Sequence, residues 1–439
     1  MNDAGAARHA LPAEVFADLA RGEGGGRAIR LLRSAEHSRR VLLLWSVVEE
    51  ARSRRHPAAT VAVDGYAALA DIQRRAPDAA RTAVEAPSTG VWAQLTLHEF
   101  WRGSPTVRPE RLATLAGSAA VLAGARRSVM MLAEDDGVTL PGVGRAVLPG
   151  ARFGRATEVR RGGDHVEIVS DGIRVVVPGD PRAETENWQP LRRARLRDDI
   201  VVDDVDEYRF AADVELHPRL TGAELARWRG SVAAGWRLLA GDHPGMAEEV
   251  AECVTTVVPL STRGAEVSSA TAPAAFGAVA LGFPRDAVTA AAILAHEVQH
   301  AKLAALMHLY DFTDGPPDRR YYAPWRDDPR PLPGLLHGAY AHLGVARFWR
   351  ARRERADSRQ AVFDAEVRFA RWRDAALEVT RFLADGGMLT GLGGRLVGGM
   401  LSVLEEWERE PVPAGALARA REVAERHRTG WAERNAGGS

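Results

Sequence analysis

The residues whose types and spacing could do chemistry concentrate in one apolar segment, residues 290–311, which reads AAAILAHEVQHAKLAALMHLYD. His296 and His300 are four residues apart, so on a helix they differ by about 40° around the axis and present two imidazoles on one face. A divalent metal needs this spacing, and Glu297 follows the first histidine in the HExxH arrangement. The alternative is a hydrogen-bonded structural pair. Two unpaired imidazoles would be costly to bury in so apolar a helix, which favours a metal site.

A zinc metallopeptidase is one interpretation of this motif, with Glu297 activating a metal-bound water. The extended HExxHxxGxxH form is absent, because Leu303 and Leu306 stand where its glycine and third histidine would be. A glutamate on a later helix, such as Glu354 or Glu366, could complete a zinc site, although no flanking pattern singles either out. A third interpretation is a non-catalytic peptide-binding protein in which the histidines have no chemical role.

The segment that follows is more distinctive than the motif. Residues 319–330 read RRYYAPWRDDPR and predict an extended loop, and residues 331–350 read PLPGLLHGAYAHLGVARFWR and predict a helix. A solvated connection with Arg–Asp pairs is the simplest interpretation of such a loop. Its prolines and aromatic residues favour a functional role instead, since they supply a preset backbone and rigid contact area. Arg326 or Arg330 could bind a carboxylate bidentately.

Together, HEVQHAKLAAL and YYAPWRDDPRPLPGLLHGAYAHLGVARFW closely resemble the bacterial HExxH-domain peptide-modification proteins found with ribosomally made peptide natural products. The specific likeness spans about residues 286–350, and a looser likeness in helical layout extends along the chain. Members of that family are regarded as iron(II)- and 2-oxoglutarate-dependent peptide β-hydroxylases. The resemblance implies that His296 and His300 bind Fe(II) in place of catalytic zinc, with 2-oxoglutarate and O2 as cosubstrates and a precursor peptide as partner.

An oxygenase of this type needs a third protein ligand and a cation for the distal carboxylate of 2-oxoglutarate. His337 and His342 lie five residues apart on one predicted helix and point about 140° away from each other, so both cannot readily reach one metal. We favour His337, at the helix start, and keep His342 or a carboxylate, including Glu297 itself, as alternatives. For the cosubstrate carboxylate we choose Arg330 over Arg326. Glu297 would then orient a ligand or position a water, and would not act as a hydrolytic base.

The elements that must position these residues predict a predominantly helical α+β fold. We expect a helical N-terminal region at 1–135, a mixed β/α central region with small antiparallel β structure at 136–284, and a helical HExxH metal-binding region at 285–439. Helical spacing covers residues 30–51, 111–133, 222–239, 286–310, 335–355, 361–384 and 416–428. Strands are predicted within 157–178, 188–196, 200–205 and 254–259. A glycine-rich stretch at 386–399 separates the last two helices, and residues 435–439 are predicted to fray.

The composition limits the classes of partner. The 439 residues include 58 basic and 58 acidic side chains, so no basic excess is available for nucleic acid or an acidic membrane. The single cysteine, Cys253, can form neither an internal disulfide nor a Cys-based zinc site, so we expect a reducing, cytoplasmic setting. We also expect no signal peptide and no membrane span. The sequence leaves the oligomeric state open.

Lys302 is the only lysine of the chain, although 58 residues are basic. With His296 as the zero of the helix, Lys302 lies at about 240° and points away from the metal face. We therefore predict a supporting role, with its ammonium group paired to a carboxylate of a neighbouring element.

Overall fold

The protein is described from a computed structural model, which covers residues 9–210, 214–261 and 269–435. Within these ranges 57% of the structure is helical, with thirteen helices and several small sheets in the middle of the chain. The predicted fold class, predominantly helical α+β, is confirmed. None of the helices in these ranges is both long enough and apolar enough to cross a membrane.

The helices account for most of the predicted segments. They are α1 (Ala13–Ala20), α2 (Gly25–Ser53), α3 (Ala59–Arg75), α4 (Pro77–Glu85), α5 (Pro87–Arg102), α6 (Arg111–Leu122), α7 (Gly222–Asp242), α8 (Pro244–Cys253), α9 (Ala287–Leu309), α10 (Leu332–Arg352), α11 (Arg359–Asp385), α12 (Gly391–Glu408) and α13 (Ala414–Asn435). Asn435 ends α13, and the rest of the segment predicted to fray lies outside the described residues.

The strands form four small sheets. They are β1 (Val129–Leu132), β2 (Gly137–Leu140), β3 (Gly144–Val147), β4 (Ala156–Gly162), β5 (His165–Ser170), β6 (Ile173–Val177), β7 (Trp188–Pro190), β8 (Arg192–Arg195), β9 (Asp199–Val202), β10 (Thr256–Pro259), β11 (Ser269–Ala270), β12 (Ala278–Leu281), β13 (Arg320–Tyr321) and β14 (Arg330–Pro331). The strand orders are β1-β4-β5-β6, β2-β3-β7, β13-β14 and β11-β12-β10-β9-β8. The last sheet is mixed, because β10 runs parallel to both β9 and β12.

The meander predicted at 157–178 is confirmed as β4, β5 and β6, with Thr157 opposite Ser170 and Ser170 opposite Ile173. The turn between β5 and β6 places Asp171 and Gly172 at φ 46° and 82°. Two successive positive φ angles are the requirement of a type I′ hairpin turn, which an Asp-Gly pair satisfies well.

Two sequence-based expectations were wrong in detail. The helix predicted at 111–133 ends at Leu122, because Gly124 and Ala125 adopt positive φ angles of 75° and 45°, and the apolar run Val129–Leu132 then forms β1. The glycine-rich stretch at 386–399 is largely helical, since α12 begins at Gly391. Glycine is needed there for close packing: a Cβ at Gly393 would lie 1.9 Å from the carbonyl oxygen of Phe312.

The described residues group into two compact units that alternate along the chain. The first takes in the described parts of 1–35, 230–254 and 284–439, and the second those of 36–229 and 255–283. The histidines of the HExxH motif belong to the first unit, in which α10 packs against both α9 and α11. The second unit has a core in which α6 packs on β1, with Trp92, Leu112 and Trp188 fully buried.

Candidate metal centre

The histidine pair of the motif lies on α9 as the spacing predicted. The helix begins after Asp286, whose carboxylate accepts a hydrogen bond from the backbone N–H of Thr289 at 2.7 Å. The Nε2 atoms of His296 and His300 lie 3.0 Å apart, and their rings meet edge to face at 84°. Two ligand nitrogens at about 2.1 Å from one metal and about 90° apart would be separated by about 3.0 Å. The pair therefore fits two adjacent positions around a metal ion.

His337 approaches the pair from the side of His300. Its Nδ1 lies 2.9 Å from the Nδ1 of His300, and the two rings are stacked with centroids 5.1 Å apart. The two nitrogens of an imidazole point in different directions, so His300 faces His296 with one and His337 with the other. A metal bound at the Nε2 atom of His300 is therefore not shared with His337 in this arrangement.

His342 borders the pair from the side of His296, with ring centroids 5.2 Å apart at 76°. Its Nδ1 lies 2.8 Å from the carbonyl oxygen of Gly338, which fixes Nδ1 as the donor and leaves a lone pair on Nε2. Metal-ligating histidines usually donate their second N–H in this way. When two imidazoles bind one metal at about 2.1 Å from each nitrogen, their ring centroids lie about 4.5–5.2 Å apart. The distances from His296 to His300 and to His342, 4.6 and 5.2 Å, both fall in this range.

A third protein ligand for the metal is nevertheless not in place beside His296 and His300. No group of three or more His, Cys, Asp or Glu side chains in the described ranges is arranged closely enough to hold a metal ion. The structure thus brings His296 and His300 together as two converging ligands, and it places His337 and His342 on opposite sides of them.

Two tryptophans hold His342 in its orientation. Trp325, in the loop that precedes α10, stacks on the His342 ring at 4.5 Å and 15°, and Trp372 of α11 packs at 4.7 Å. A Cβ at Gly338 would lie 2.4 Å from the Trp325 indole, so only glycine leaves room for this stack. Sequence reasoning identified the aromatic loop but missed the role of Trp372. Gly338 lies one helical turn before His342 on the same face of α10, and this spacing is the signal in the sequence that a ring could pack against His342 there.

Burial keeps these imidazoles neutral. It is the main cause that lowers the pKa of His300 and of His342 well below the ordinary value, and the neighbouring His296 lowers both further. The pKa of His337 falls to about 4, first through burial and then through the positive charge of Arg330. Neutral imidazoles keep the lone pairs that a metal requires, so His300, His337 and His342 can act as nitrogen ligands at neutral pH.

Arg330 lies near the histidines, whereas Arg326 is turned further to solvent. Both guanidinium groups pair with Asp328, at 3.1 Å from Arg330 and 2.7 Å from Arg326. The side chain of Arg330 is 34% exposed and that of Arg326 is 52% exposed. Arg330 also contributes to the lowered pKa of His300 and of His337, so it is the better placed of the two for an anion beside the cluster.

Arg371 is a buried cation that sequence reasoning missed. Its Nη2 donates to the carbonyl oxygen of Pro324 at 2.7 Å, and its Nε is buried with no hydrogen-bond partner among the described residues. Its charge contributes to the lowered pKa of His342. The only signal in the sequence is its position directly before Trp372.

Glu297 is buried on α9, about 100° around the helix from His296, so it lies beside the face that carries the histidine pair. Of the two downstream glutamates considered for a zinc site, Glu366 pairs with Arg353 at 3.4 Å. The side chain of Glu354 is exposed.

Lys302 supports the opposite face of α9. It is fully buried, its Nζ lies 2.9 Å from the carboxylate of Glu249 on α8, and it donates to the carbonyl oxygen of Gly22 at 3.0 Å. Arg347 donates to the same carbonyl at 3.2 Å. Both cations satisfy the carbonyl group of Gly22, just beyond the end of α1, where an unpaired acceptor would be costly. The predicted supporting role, with a carboxylate of a neighbouring element, is confirmed.

Comparisons with known proteins add no family assignment. No protein-family model matches the chain, and no curated protein shows significant similarity to it.

Proposed function

We propose that this protein is an iron(II)- and 2-oxoglutarate-dependent oxygenase that hydroxylates the β-carbon of a residue in a ribosomally made precursor peptide. The observation that carries the proposal is the 3.0 Å distance between the Nε2 atoms of His296 and His300, whose rings lie on one face of α9. The resemblance of residues 286–350 to peptide β-hydroxylases supplies the reaction class. We further propose a cytoplasmic location, where the single Cys253 would stay reduced.

His296 and His300 would hold the iron, and a third nitrogen would come from α10. The sequence favours His337 for that role, whereas the geometry supports His342, whose Nδ1 is already engaged by the Gly338 carbonyl. Iron in this position would supply the activation of O2 that is coupled to decarboxylation of 2-oxoglutarate. Overall, the substrate C–H bond, O2 and 2-oxoglutarate would give a C–OH group, succinate and CO2.

The other residues of the site would bind the cosubstrate and orient the metal ligands. Trp325 and Trp372 hold the ring of His342 between them, which fixes the direction of its Nε2. Arg330 supplies a guanidinium group for the distal carboxylate of 2-oxoglutarate, and its pairing with Asp328 would loosen as that carboxylate binds. Glu297 would orient a ligand or a water from the side of the pair.

The experiment is to incubate the purified protein with Fe(II), ascorbate, 2-oxoglutarate and a candidate precursor peptide encoded beside its gene. We expect succinate to form together with a gain of one oxygen in the mass of the peptide, and we expect both to be lost in a His296→Ala variant. Peptide cleavage that needs zinc and no 2-oxoglutarate would establish the metallopeptidase instead. If His296→Ala retained both metal and activity, the histidine pair would not be the metal site. If the unaltered protein catalysed neither reaction, the peptide-binding role would remain.

A further inference from the structure

The second unit contains a cavity that the proposed chemistry does not use. It measures about 140 Å³ and lies where α3 and α6 end, beside the turn that leads into β1. Its floor is apolar and includes Ile72 and Ala120, and its rim carries Arg75, Arg126 and Arg127. An apolar floor beneath several guanidinium groups is suited to a ligand that carries both an apolar and an anionic group.

The positive charges at this cavity exceed the negative charge available to them. Asp71 is the carboxylate in the lining, and it pairs with Arg74 at 2.9 Å, Arg75 at 3.2 Å and Arg127 at 3.6 Å. Arg126 forms no ion pair with any residue in the described part of the chain. The carbonyl ends of α3 and α6 attract some of this charge. Several guanidinium groups around one carboxylate still leave a cationic excess for an anion.

An edge strand of a sheet begins shortly after these arginines. Strand β1 is the edge of its sheet and pairs, among the described strands, with β4 alone. The N–H of Ala133 donates to the carbonyl of Arg155 at 2.8 Å, in continuation of that register. Because hydrogen-bonded pairs alternate along an antiparallel ladder, the N–H and C=O of Met130 point away from β4. The side chain of Met130 is also 54% exposed.

We propose that the edge of β1 and the arginine-lined cavity together bind an extended peptide segment that carries acidic residues. The proposal deepens the proposed function, on which it rests, by naming the part of the precursor peptide that this unit would recognise. The backbone of the segment pairs with Met130, its carboxylates meet Arg126 and Arg127, and an apolar side chain enters the cavity. From Arg126 to Met130 an extended chain spans about 13 Å, so four or five peptide residues cover the whole surface.

The strand edge selects a peptide over other anions. A free anion or a nucleic acid would use the arginines but has no backbone N–H and C=O groups to pair with Met130. The chain as a whole has a formal net charge of zero, so it lacks the broad basic surface that nucleic-acid binding uses.

The test is fluorescence anisotropy on the full-length, metal-free protein with a dye-labelled, end-capped nonapeptide that alternates Glu with Val and Thr. A peptide with Lys in place of Glu, inorganic phosphate and a dT10 oligonucleotide serve as comparison ligands. We expect saturable binding of the Glu peptide, and we expect Arg126→Glu to raise its Kd by about tenfold or more, as expected for the loss of a charge-assisted hydrogen bond. Arg81→Glu, at an exposed position of α4 outside the cavity, should leave the Kd unchanged.

A second pair of variants tests the strand edge. Met130→Pro removes an N–H that points away from β4 and spares the β1–β4 ladder, so the sheet should persist while peptide binding is lost. Met130→Ala keeps the N–H and should retain most of the binding. Circular dichroism checks that both variants fold.

Equal binding of the Lys peptide, displacement by phosphate or dT10 at similar concentrations, absence of binding, or an unchanged Kd in Met130→Pro would each overturn the docking proposal. Because the protein is metal-free in this assay, its outcome is separate from that of the oxygenase. Peptide binding without hydroxylation would leave the docking surface standing and count against the proposed reaction alone.

Discussion

The Nδ1 atoms of His300 and His337 lie 2.9 Å apart, whereas His300 faces His296 with its other ring nitrogen, Nε2. His337 therefore hydrogen-bonds to a member of the pair and does not share its metal position. The Nδ1 of His342 donates to the Gly338 carbonyl, which leaves the lone pair of this imidazole on Nε2. The two contacts give the α10 histidines different roles: His337 is a hydrogen-bond partner of His300, and His342 is the candidate metal ligand.

The first prediction concerns metal content. We expect His342→Ala to lose most of its bound iron, as His296→Ala should, because the imidazole whose Nε2 carries the available lone pair is removed. His337→Ala should retain iron with a modest loss of affinity, since outer partners of ligands typically contribute about 10–100-fold to metal binding. Iron per chain, measured after anaerobic reconstitution and desalting, decides between them. The reverse order would support the choice made from sequence, His337.

The second prediction concerns the glycine beneath the tryptophan stack. Gly338→Ala places a Cβ 2.4 Å from the Trp325 indole, which must move away from His342. We expect the free energy of unfolding to fall by about 1–3 kcal/mol through overpacking, with a change in tryptophan fluorescence. Gly394→Ala on α12 is the matched control, because no atom lies within 4 Å of its new Cβ. That control should be neutral or more stable, since alanine favours a helix. Equal behaviour of the two variants would refute the packing argument.

The third prediction concerns the lysine behind the motif. Lys302→Met leaves the buried carboxylate of Glu249 without its cation, which typically costs about 3–5 kcal/mol. Glu249→Gln keeps an acceptor for the N–H of Gly25, so the double variant Lys302→Met/Glu249→Gln should cost less than the sum of the single variants. Urea denaturation of the three variants gives the coupling free energy. Additive losses would show that the ion pair is not coupled.

The fourth prediction concerns pH and a carboxyl group of the second unit. Asp203 is buried after β9, and burial, followed by the charge of Asp206, raises its pKa from 3.8 to about 7. Between these values the folded state holds a proton that the unfolded state has released. The contribution of Asp203 to stability is thus fully present below its unfolded pKa and is lost as the pH rises through about 7.

Asp203→Asn is the variant that isolates this effect. Its amide oxygen can still accept from the N–H groups of Val205 and Asp206, at 3.2 and 3.0 Å in the native protein. We expect the variant to gain stability relative to the native protein as the pH rises from 4 to 8, measured by urea denaturation at several pH values. Parallel pH profiles would contradict the raised pKa.

Sequence reasoning succeeded where the cause is local. The angle between His296 and His300, and the position of Lys302 on the other side of α9, both follow from 3.6 residues per turn. The meander at β4, β5 and β6 follows from short runs of alternating apolar and polar residues and from the Asp171-Gly172 turn. Each of these depends on residues that are close together in the chain.

Sequence reasoning failed where contacts between distant segments decide. A run such as Val129–Leu132 has no period that separates helix from strand, and pairing with β4 makes it a strand. The glycines of α12 suggest a linker, yet Gly393 and Gly399 permit helix packing that any Cβ would block. Arg371 and Trp372 gave no signal because their partners lie on other elements.

The sequence by itself therefore determined which residues form the histidine pair, because that pair is the property of a single helix. The tertiary structure decided which nitrogen of His300 faces which neighbour. It also decided that the Nδ1 of His337 contacts another imidazole, whereas the Nδ1 of His342 contacts a backbone carbonyl. It further decided that Glu249 is the carboxylate that pairs with Lys302. The physical reason is that ring orientation depends on packing between α9, α10 and α11, and on Trp325 and Trp372, which a linear pattern does not contain.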